Sequence, residues 1–164
     1  MLPIEHPDFF RRPPPPGQSR ESTIVLDAAG RFWHEGEPVE HRGMREAFAA
    51  WVMRHPDDGR YVLCNGYDWS YFRVEDVAFF VRGLRSEGGA LVLSLSDGTE
   101  EELAPATLRV GAAGALYCSI KQGTFEAKFT PTAQTGLLPH VVESASGEPA
   151  LRVGERDYLI PARE

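Results

Sequence analysis

The chain has 164 residues, the size of one typical domain or of two very small ones, and 42% of them are hydrophobic. With 25% charged residues, this composition is that of a folded globular protein and excludes a disordered chain. The formal net charge is −7 and both halves are acidic, which argues against nucleic acid as a partner, and no apolar run approaches the ~18 residues of a membrane span.

The first 21 residues are predicted to form a proline-rich tail. Residues 13–16 are four consecutive prolines, which donate no backbone hydrogen bonds and favour an extended polyproline II conformation. Such a run is either a stiff linker, the commoner case, or a ligand for a proline-recognising domain. We expect the tail to be dispensable for folding unless Phe9 and Phe10 pack against the body.

Residues 22–83 are predicted to form a first α+β unit. It opens with a β-hairpin, in which residues 23–27 and 31–34 flank a turn at Gly30. Apolar residues then recur at helical spacing, which predicts a helix over residues 41–54. The residues with this spacing are Met44, Phe48, Trp51 and Val52. The strand-like runs that follow are residues 60–65, 67–72 and 77–82.

Residues 84–164 are predicted to form a second, strand-rich α+β unit. Two hairpins are indicated by the turns at residues 96–98 and 121–123. Thr130 and Pro131 have the composition of a helix start and predict a short helix over residues 131–140. Three further strands, residues 141–144, 151–153 and 158–161, end the chain.

The order of elements suggests an internal repeat. Each unit contains a hairpin, a helix and a strand in that order, and Gly30 and Gly123 occupy matching positions before the second hairpin strand. Residue identity between the units is poor, so the repeat is one of element order only. The predicted fold class is therefore α+β, with two related small units and a mostly antiparallel sheet.

Four segments resemble a bacterial family of unknown function, domain-of-unknown-function family 1285. They are residues 30–39 (GRFWHEGEPV), 57–63 (DDGRYVL), 74–79 (VEDVAF) and 117–127 (YCSIKQGTFEA). The chain departs from the family pattern at Ala78, where proline is usual, and at His34, where an aromatic residue is expected. The resemblance implies two related α+β units without an established catalytic activity, and a role in signalling or regulation.

One polar cluster has the composition of a metal site. Residues 34–41 contain His34, His41 and three glutamates, and such side chains can ligate zinc or another transition metal. Gly36 and Pro38 bend the chain between them, and no HExxH helix fixes their geometry. We predict solvated loop charges here, and neither a metal nor a cofactor.

The sequence shows no pattern typical of a nucleophilic enzyme. Cys64 and Cys118 lie in apolar strand-like runs, which predict buried free thiols and a reducing, cytoplasmic environment. No Gly-x-Ser-x-Gly elbow is present, and the glycine pairs lack the helix and lysine of a phosphate loop. No catalytic residue is therefore predicted.

The aromatic stretch at residues 67–73 is the candidate binding segment. Tyr67, Trp69, Tyr71 and Arg73 are of the types that dominate binding hot spots. Strand alternation sends Tyr67, Trp69 and Tyr71 to one side and Phe72 to the other. Two interpretations stay open: the row is core, or it is a docking surface for a protein partner or for self-association.

These patterns favour a non-enzymatic cytoplasmic binding or regulatory module. The alternative is a small-molecule sensor or an enzyme with a pocket between the two units, using the carboxylates of residues 34–41. An enzyme needs convergent titratable groups in one concave pocket, whereas an interaction module needs an aromatic patch.

We predict that Gly36 is required for its backbone conformation. Between the hairpin and the helix the chain must turn sharply, and glycine adopts a positive φ without steric cost. If Gly36 does so, Gly36→Val lowers the free energy of unfolding by roughly 1–3 kcal/mol. Thermal melting measures this change, and an unchanged melting curve would contradict it.

Overall fold

Fifteen β-strands and two short α-helices form the regular structure of this computed structural model, which describes residues 1–164. The chain divides into two units, Met1–Ala78 and Phe79–Glu164. Most strand pairs are antiparallel, which confirms the predicted α+β class. None of the helices has both the length and the apolar character needed to cross a bilayer.

The first unit is built on a single six-stranded sheet. Its strands are β1 (Glu21–Leu26), β2 (Phe32–His34), β3 (Glu37–Pro38), β4 (Val52–Arg54), β5 (Tyr61–Cys64) and β6 (Trp69–Val74). They lie in the order β3-β2-β1-β6-β5-β4. Two antiparallel three-stranded meanders therefore meet in the middle, where β1 and β6 run parallel.

The one helix of the first unit, α1 (Arg42–Ala50), joins the two meanders. His41 caps its start, because the imidazole Nδ1 accepts a hydrogen bond from the Met44 amide at 3.2 Å. The helix buries Phe48 and ends four residues earlier than the apolar spacing predicts. Val52 instead pairs with Leu63 in the sheet, since a β-branched residue is readily accommodated in a strand.

The second unit contains a six-stranded sheet with the same pattern and a smaller third sheet. The strands of the larger sheet are β7 (Phe79–Glu87), β8 (Ala90–Leu95), β9 (Glu100–Glu102), β10 (Arg109–Val110), β11 (Leu116–Ile120) and β12 (Phe125–Phe129). Here β7 and β12 are the parallel pair in the middle. Strands β13 (Val141–Glu143), β14 (Pro149–Val153) and β15 (Arg156–Leu159) form the antiparallel third sheet.

The two units are related, and the likeness of their large sheets extends beyond the predicted order of elements. In both large sheets, the first strand of one meander pairs in parallel with the last strand of the next. The helix does not take part in this repeat. In the first unit α1 lies between the meanders, whereas in the second unit α2 (Pro131–Leu137) follows β12, and a 3-10 turn at Pro105–Thr107 joins the meanders. The large sheets therefore repeat as meander, connection, meander. The predicted order of hairpin, helix and strand is also present in both units, as β1, β2, α1 and β4 and as β11, β12, α2 and β13.

The turn at Gly36 has the predicted backbone conformation. Glu35 and Gly36 both have positive φ, at 53° and 78°, and they connect the paired residues His34 and Glu37. This is the geometry of a two-residue type I′ hairpin turn. A Cβ added at Gly36 would meet no atom within 4 Å, so a side chain is opposed there by backbone strain alone.

The N-terminal segment, residues 3–11, packs against the first unit and is not a free tail. It forms two 3-10 turns, Pro3–Glu5 and Phe9–Arg11. The Phe9 side chain is 3% exposed and lies in a cluster with Val62, Cys64 and Trp69. Without this segment, one face of the sheet would expose its largest side chains, so its removal should destabilise the first unit, contrary to the prediction of a dispensable tail.

We predict that Phe9 is a major core residue. Phe9→Ala removes a buried ring and leaves a cavity beside Trp69, so the free energy of unfolding should fall by about 3–5 kcal/mol. Leu2→Ala is the matched control, because Leu2 is 45% exposed in the same segment. Denaturant unfolding measures both variants. Equal small losses would contradict the packing of Phe9.

Candidate functional site

Strand β6 places large side chains on both faces of the first sheet. Trp69 and Tyr71 lie opposite Cys64 and Val62 in the sheet register and share one face. Phe72 points to the other face, where its ring lies 6.4 Å from Phe32. Both faces of this strand therefore need a cover.

Three residues form the receiving surface of the site, which we call the aromatic face: His55, Trp69 and Tyr71. The His55 ring is stacked on Tyr71, with centroids 5.6 Å apart and an interplanar angle of 26°. Trp69 meets both rings edge-on, at 5.0 Å from His55 and 5.1 Å from Tyr71. The ring of Phe10, in the N-terminal segment, also packs here, with its centroid 5.5 Å from that of His55 and 5.6 Å from that of Trp69. These are the separations of favourable aromatic pairs.

The hydrogen bonds of His55 assign its tautomer. The imidazole is buried, and its Nδ1 accepts from the Asp57 amide at 3.1 Å. The proton must then lie on Nε2, which donates to the Phe10 carbonyl at 3.0 Å. One ring nitrogen thus bonds the turn that follows β4, and the other bonds the N-terminal segment.

The aromatic face binds the N-terminal segment through its backbone as well as its side chains. Trp69 Nε1 donates to the Phe9 carbonyl at 3.3 Å, next to the His55 bond to Phe10. The Arg11 guanidinium then donates to both carboxylate oxygens of Asp57, at 2.9 and 3.1 Å. The carbonyls of Phe9 and Phe10 and the guanidinium of Arg11 are therefore each bound at a fixed position on the sheet. The paired guanidinium–carboxylate hydrogen bonds also make this contact directional.

Charged groups line the edge of the aromatic face. The Tyr71 hydroxyl donates to Asp58 at 2.7 Å, and the Arg60 guanidinium lies 3.7 Å above the Tyr71 ring. Arg60 also donates to both carboxylate oxygens of Glu21. The hydrogen bond from Tyr71 lowers the pKa of Asp58, and the one from Arg60 lowers the pKa of Glu21. Both carboxylates of this edge are therefore ionised at neutral pH.

The four predicted binding residues have different surroundings. Trp69 is 6% exposed beneath the N-terminal segment, and Tyr71 is half-buried beside it. Tyr67 precedes the strand and is 66% exposed, while the Arg73 side chain is 73% exposed further along β6. The structure thus brings Trp69 and Tyr71 together in one cluster and leaves Tyr67 and Arg73 on the surface.

Two members of the site, His55 and Asp57, are not indicated by the sequence, whereas Phe9 was considered only as a residue that could pack against the body. The signal for Phe9 is its pairing with Phe10 ahead of the prolines, since two adjacent large apolar residues are rarely left in solvent. His55 and Asp57 lie in a Pro/Gly turn that predicts only the end of an element. Their partners are about 45 residues away in the chain, so no local pattern indicates them.

The other polar groups considered for chemistry have structural surroundings. His41 caps α1, and His34 lies exposed on β2. No group of three or more His, Cys, Asp or Glu side chains is arranged to hold a metal ion. Both cysteines are free and buried, and burial raises the pKa of the Cys64 thiol and raises that of Cys118 to about 12. Neither thiol is activated as a nucleophile.

Two solved structures are similar to this fold. One is a DUF1285 family protein from Silicibacter pomeroyi DSS-3, with a TM-score of 0.66 and 16% identity over 94% of this chain and 86% of the other. The second is a DUF1285 family protein from Shewanella baltica OS155, with a TM-score of 0.51 and 19% identity over 68% of this chain and 86% of the other.

At these identities the likeness is one of fold, and it supports the resemblance to the domain-of-unknown-function family 1285. No family model matches the sequence, and no curated protein matches it.

We predict a pH dependence from the Arg11–Asp57 pair. The hydrogen bond from Arg11 lowers the pKa of Asp57 below its ordinary 3.8. A carboxyl group with a lowered pKa stabilises the folded state above its unfolded pKa and loses this contribution as the pH falls. The difference in free energy of unfolding between the wild-type chain and Asp57→Asn should therefore be largest above about pH 5 and shrink below about pH 4.

The control for this pH dependence is the same substitution in an Arg11→Met chain. Asp57 then has no guanidinium partner, so the effect of Asp57→Asn should vary little with pH. Urea unfolding across the pH range measures all four proteins. Equal pH dependence in both backgrounds would show that Arg11 is not the cause.

Proposed function

We propose that this protein is a non-enzymatic binding or regulatory module and that the aromatic face of its first unit recognises a short peptide segment. One observation carries the proposal. The face holds residues 9–11 in the manner in which a receptor holds a peptide, through a buried ring, two carbonyl acceptors and one arginine. We also propose a cytoplasmic location, in keeping with two free buried thiols.

Each of these contacts has a different role, and together they favour peptide segments of one sequence pattern. The Phe9 ring supplies apolar burial, which is the largest source of affinity. The carbonyl bonds from Trp69 and His55 fix the direction of the bound chain without selecting side chains. Asp57 selects an arginine two residues after the buried ring. The matching ligand is an aromatic–aromatic–arginine segment.

The exposed predicted residues extend this surface. Arg73 follows Trp69 and Tyr71 on the same side of β6 by strand alternation, and its side chain is largely exposed beside Glu75. Tyr67 is exposed at the other end of the row. We propose that both residues contact the parts of a partner that lie outside the aromatic–aromatic–arginine segment.

The chain's own segment acts as a competitor for such a ligand. A segment tethered by a short connection has an effective concentration of about millimolar, so an external peptide must displace it. This arrangement favours regulation, because any event that weakens the tethered segment increases access to the aromatic face.

A labelled synthetic peptide of residues 2–12 tests this function on the full chain. We expect an Arg11→Glu chain to bind the peptide saturably, because its own segment carries a charge that Asp57 repels. The wild-type chain should bind about tenfold more weakly, because its own segment competes. Fluorescence anisotropy measures both affinities.

Two controls make the peptide test specific. The same peptide with Arg11→Glu should bind about tenfold more weakly, since it lacks the partner of Asp57. An Arg42→Glu chain should behave as wild type, because Arg42 pairs only with Glu46 on α1 and its side chain is 84% exposed. Absence of saturable binding, or equal binding of both peptides, would refute the proposed function.

A further inference from the structure

The connection between the N-terminal segment and β1 has the properties of a hinge. Residues 11–19 are exposed apart from Pro14, which is partly buried. Within residues 14–19 the hydrogen bonds are local: Gln18 donates to the Pro15 carbonyl at 3.0 Å, and the Ser19 hydroxyl accepts from the Glu21 amide. The connection can therefore change conformation without breaking the contacts of residues 3–11.

A single turn directs the N-terminal segment back onto its own sheet. The bond from Gln18 to Pro15 closes a four-residue turn with Pro16 and Gly17 at its centre, and Gly17 has a φ of 78°. This is the pattern of a type II turn, which needs a positive φ at its third residue. A Cβ on Gly17 would meet nothing within 4 Å, so only the backbone conformation requires glycine.

If this turn opens, the connection becomes an extended spacer. Residues 14–16 are prolines, which hold an extended conformation with a rise of about 3.1 Å per residue, and at that rise the six residues 14–19 span roughly 19 Å. Such a spacer carries residues 3–11 away from their own aromatic face. That face and Phe9 are then both uncovered, and large apolar surfaces seldom stay bare.

We propose that the N-terminal segment is exchangeable, and that its second acceptor is the aromatic face of another copy of this chain. The inference rests on the proposed function, because it assumes that the face binds this segment as a separate ligand. In a reciprocal dimer each copy gives residues 3–11 to the other. The contacts of Phe9, the two carbonyls and Arg11 then form again unchanged.

The hydrogen bonds of Arg20 at the end of the segment are also compatible with exchange. Arg20 lies on the acceptor side, where its guanidinium bonds Asp68 and the Trp69 carbonyl. It also donates to the carbonyls of Arg12 and Pro13, at 3.2 and 3.1 Å. A segment arriving from another copy presents the same two carbonyls. A second copy therefore offers Trp69, His55, Asp57 and Arg20 the same partners that the chain's own segment offers, a match that any other partner would have to reproduce.

A mixture of two charge-reversed full chains tests the exchange. In the Arg11→Glu chain the segment is repelled by Asp57, and in the Asp57→Arg chain Arg11 is repelled by the new cation. Neither closed monomer has a matched pair. In a reciprocally exchanged heterodimer both pairs are restored, since each segment meets the opposite charge on the other copy. Each variant alone should have a mass near 18.2 kDa, and the mixture should contain a species of twice that mass.

Light scattering coupled to size exclusion, with different tags on the two variants, measures this result. A mixture that stays monomeric, or a dimer equally abundant in either variant alone, overturns the exchange. If the mixture stays monomeric while the synthetic peptide binds the Arg11→Glu chain, only the exchange is refuted. If that peptide does not bind, the proposed function itself is refuted.

A hinge variant gives a second, independent measurement. Gly17→Val disfavours the type II turn and should convert the chain from monomer to dimer as its concentration rises. Gly36→Val is the matched control, because Gly36 has the same φ of 78° and the same open surroundings but lies outside the connection. A Gly17→Val chain that stays monomeric, or a Gly36→Val chain that dimerises equally, contradicts the hinge.

Discussion

Strand β6 has large apolar side chains on both faces, and the structure of the first unit depends on which elements cover them. Trp69 and Tyr71 lie on one face of the strand and Phe72 on the other. Helix α1 covers the second face with Phe48, whose ring lies 5.5 Å from Phe32. The first face has no helix, and the N-terminal segment covers it instead. A short irregular segment can do so because its backbone carbonyls find side-chain donors in Trp69 and His55.

The same constraint explains why recognition features collect at this place. A cover made of a helix satisfies its own backbone, whereas an irregular cover must be hydrogen-bonded by the surface below it. The surface therefore needs donors at fixed positions, which is also what a peptide receptor needs. Asp57 and Arg20 add charge selection at the end of the segment. The aromatic face is thus a structural solution that has the chemistry of a binding site.

The second unit shows that the strand pattern of a sheet does not determine which elements pack on its faces. Its large sheet repeats the two meanders and the central parallel pair, yet its helix α2 follows the last strand of the sheet. Ala133 and Leu137 are the buried residues of that helix. What the two units share is the pairing of the first and last strands, because this pairing closes two meanders into one sheet. The elements that cover the faces differ.

The sequence by itself determined the local elements. Hairpin turns, the start of each helix and the positive φ of Gly36 follow from residues close together in the chain, so alternation and turn chemistry predict them. The sequence also indicated that Trp69 and Tyr71 share a face. Only the tertiary structure decided that Phe9 covers this face and that His55 and Asp57 belong to it. It also decided that Val52 joins the sheet and that β1 pairs with β6. These contacts join residues that are 11 to 60 positions apart in the chain. Periodicity tells which side chains point the same way, but the element that covers them is selected by packing of the whole unit.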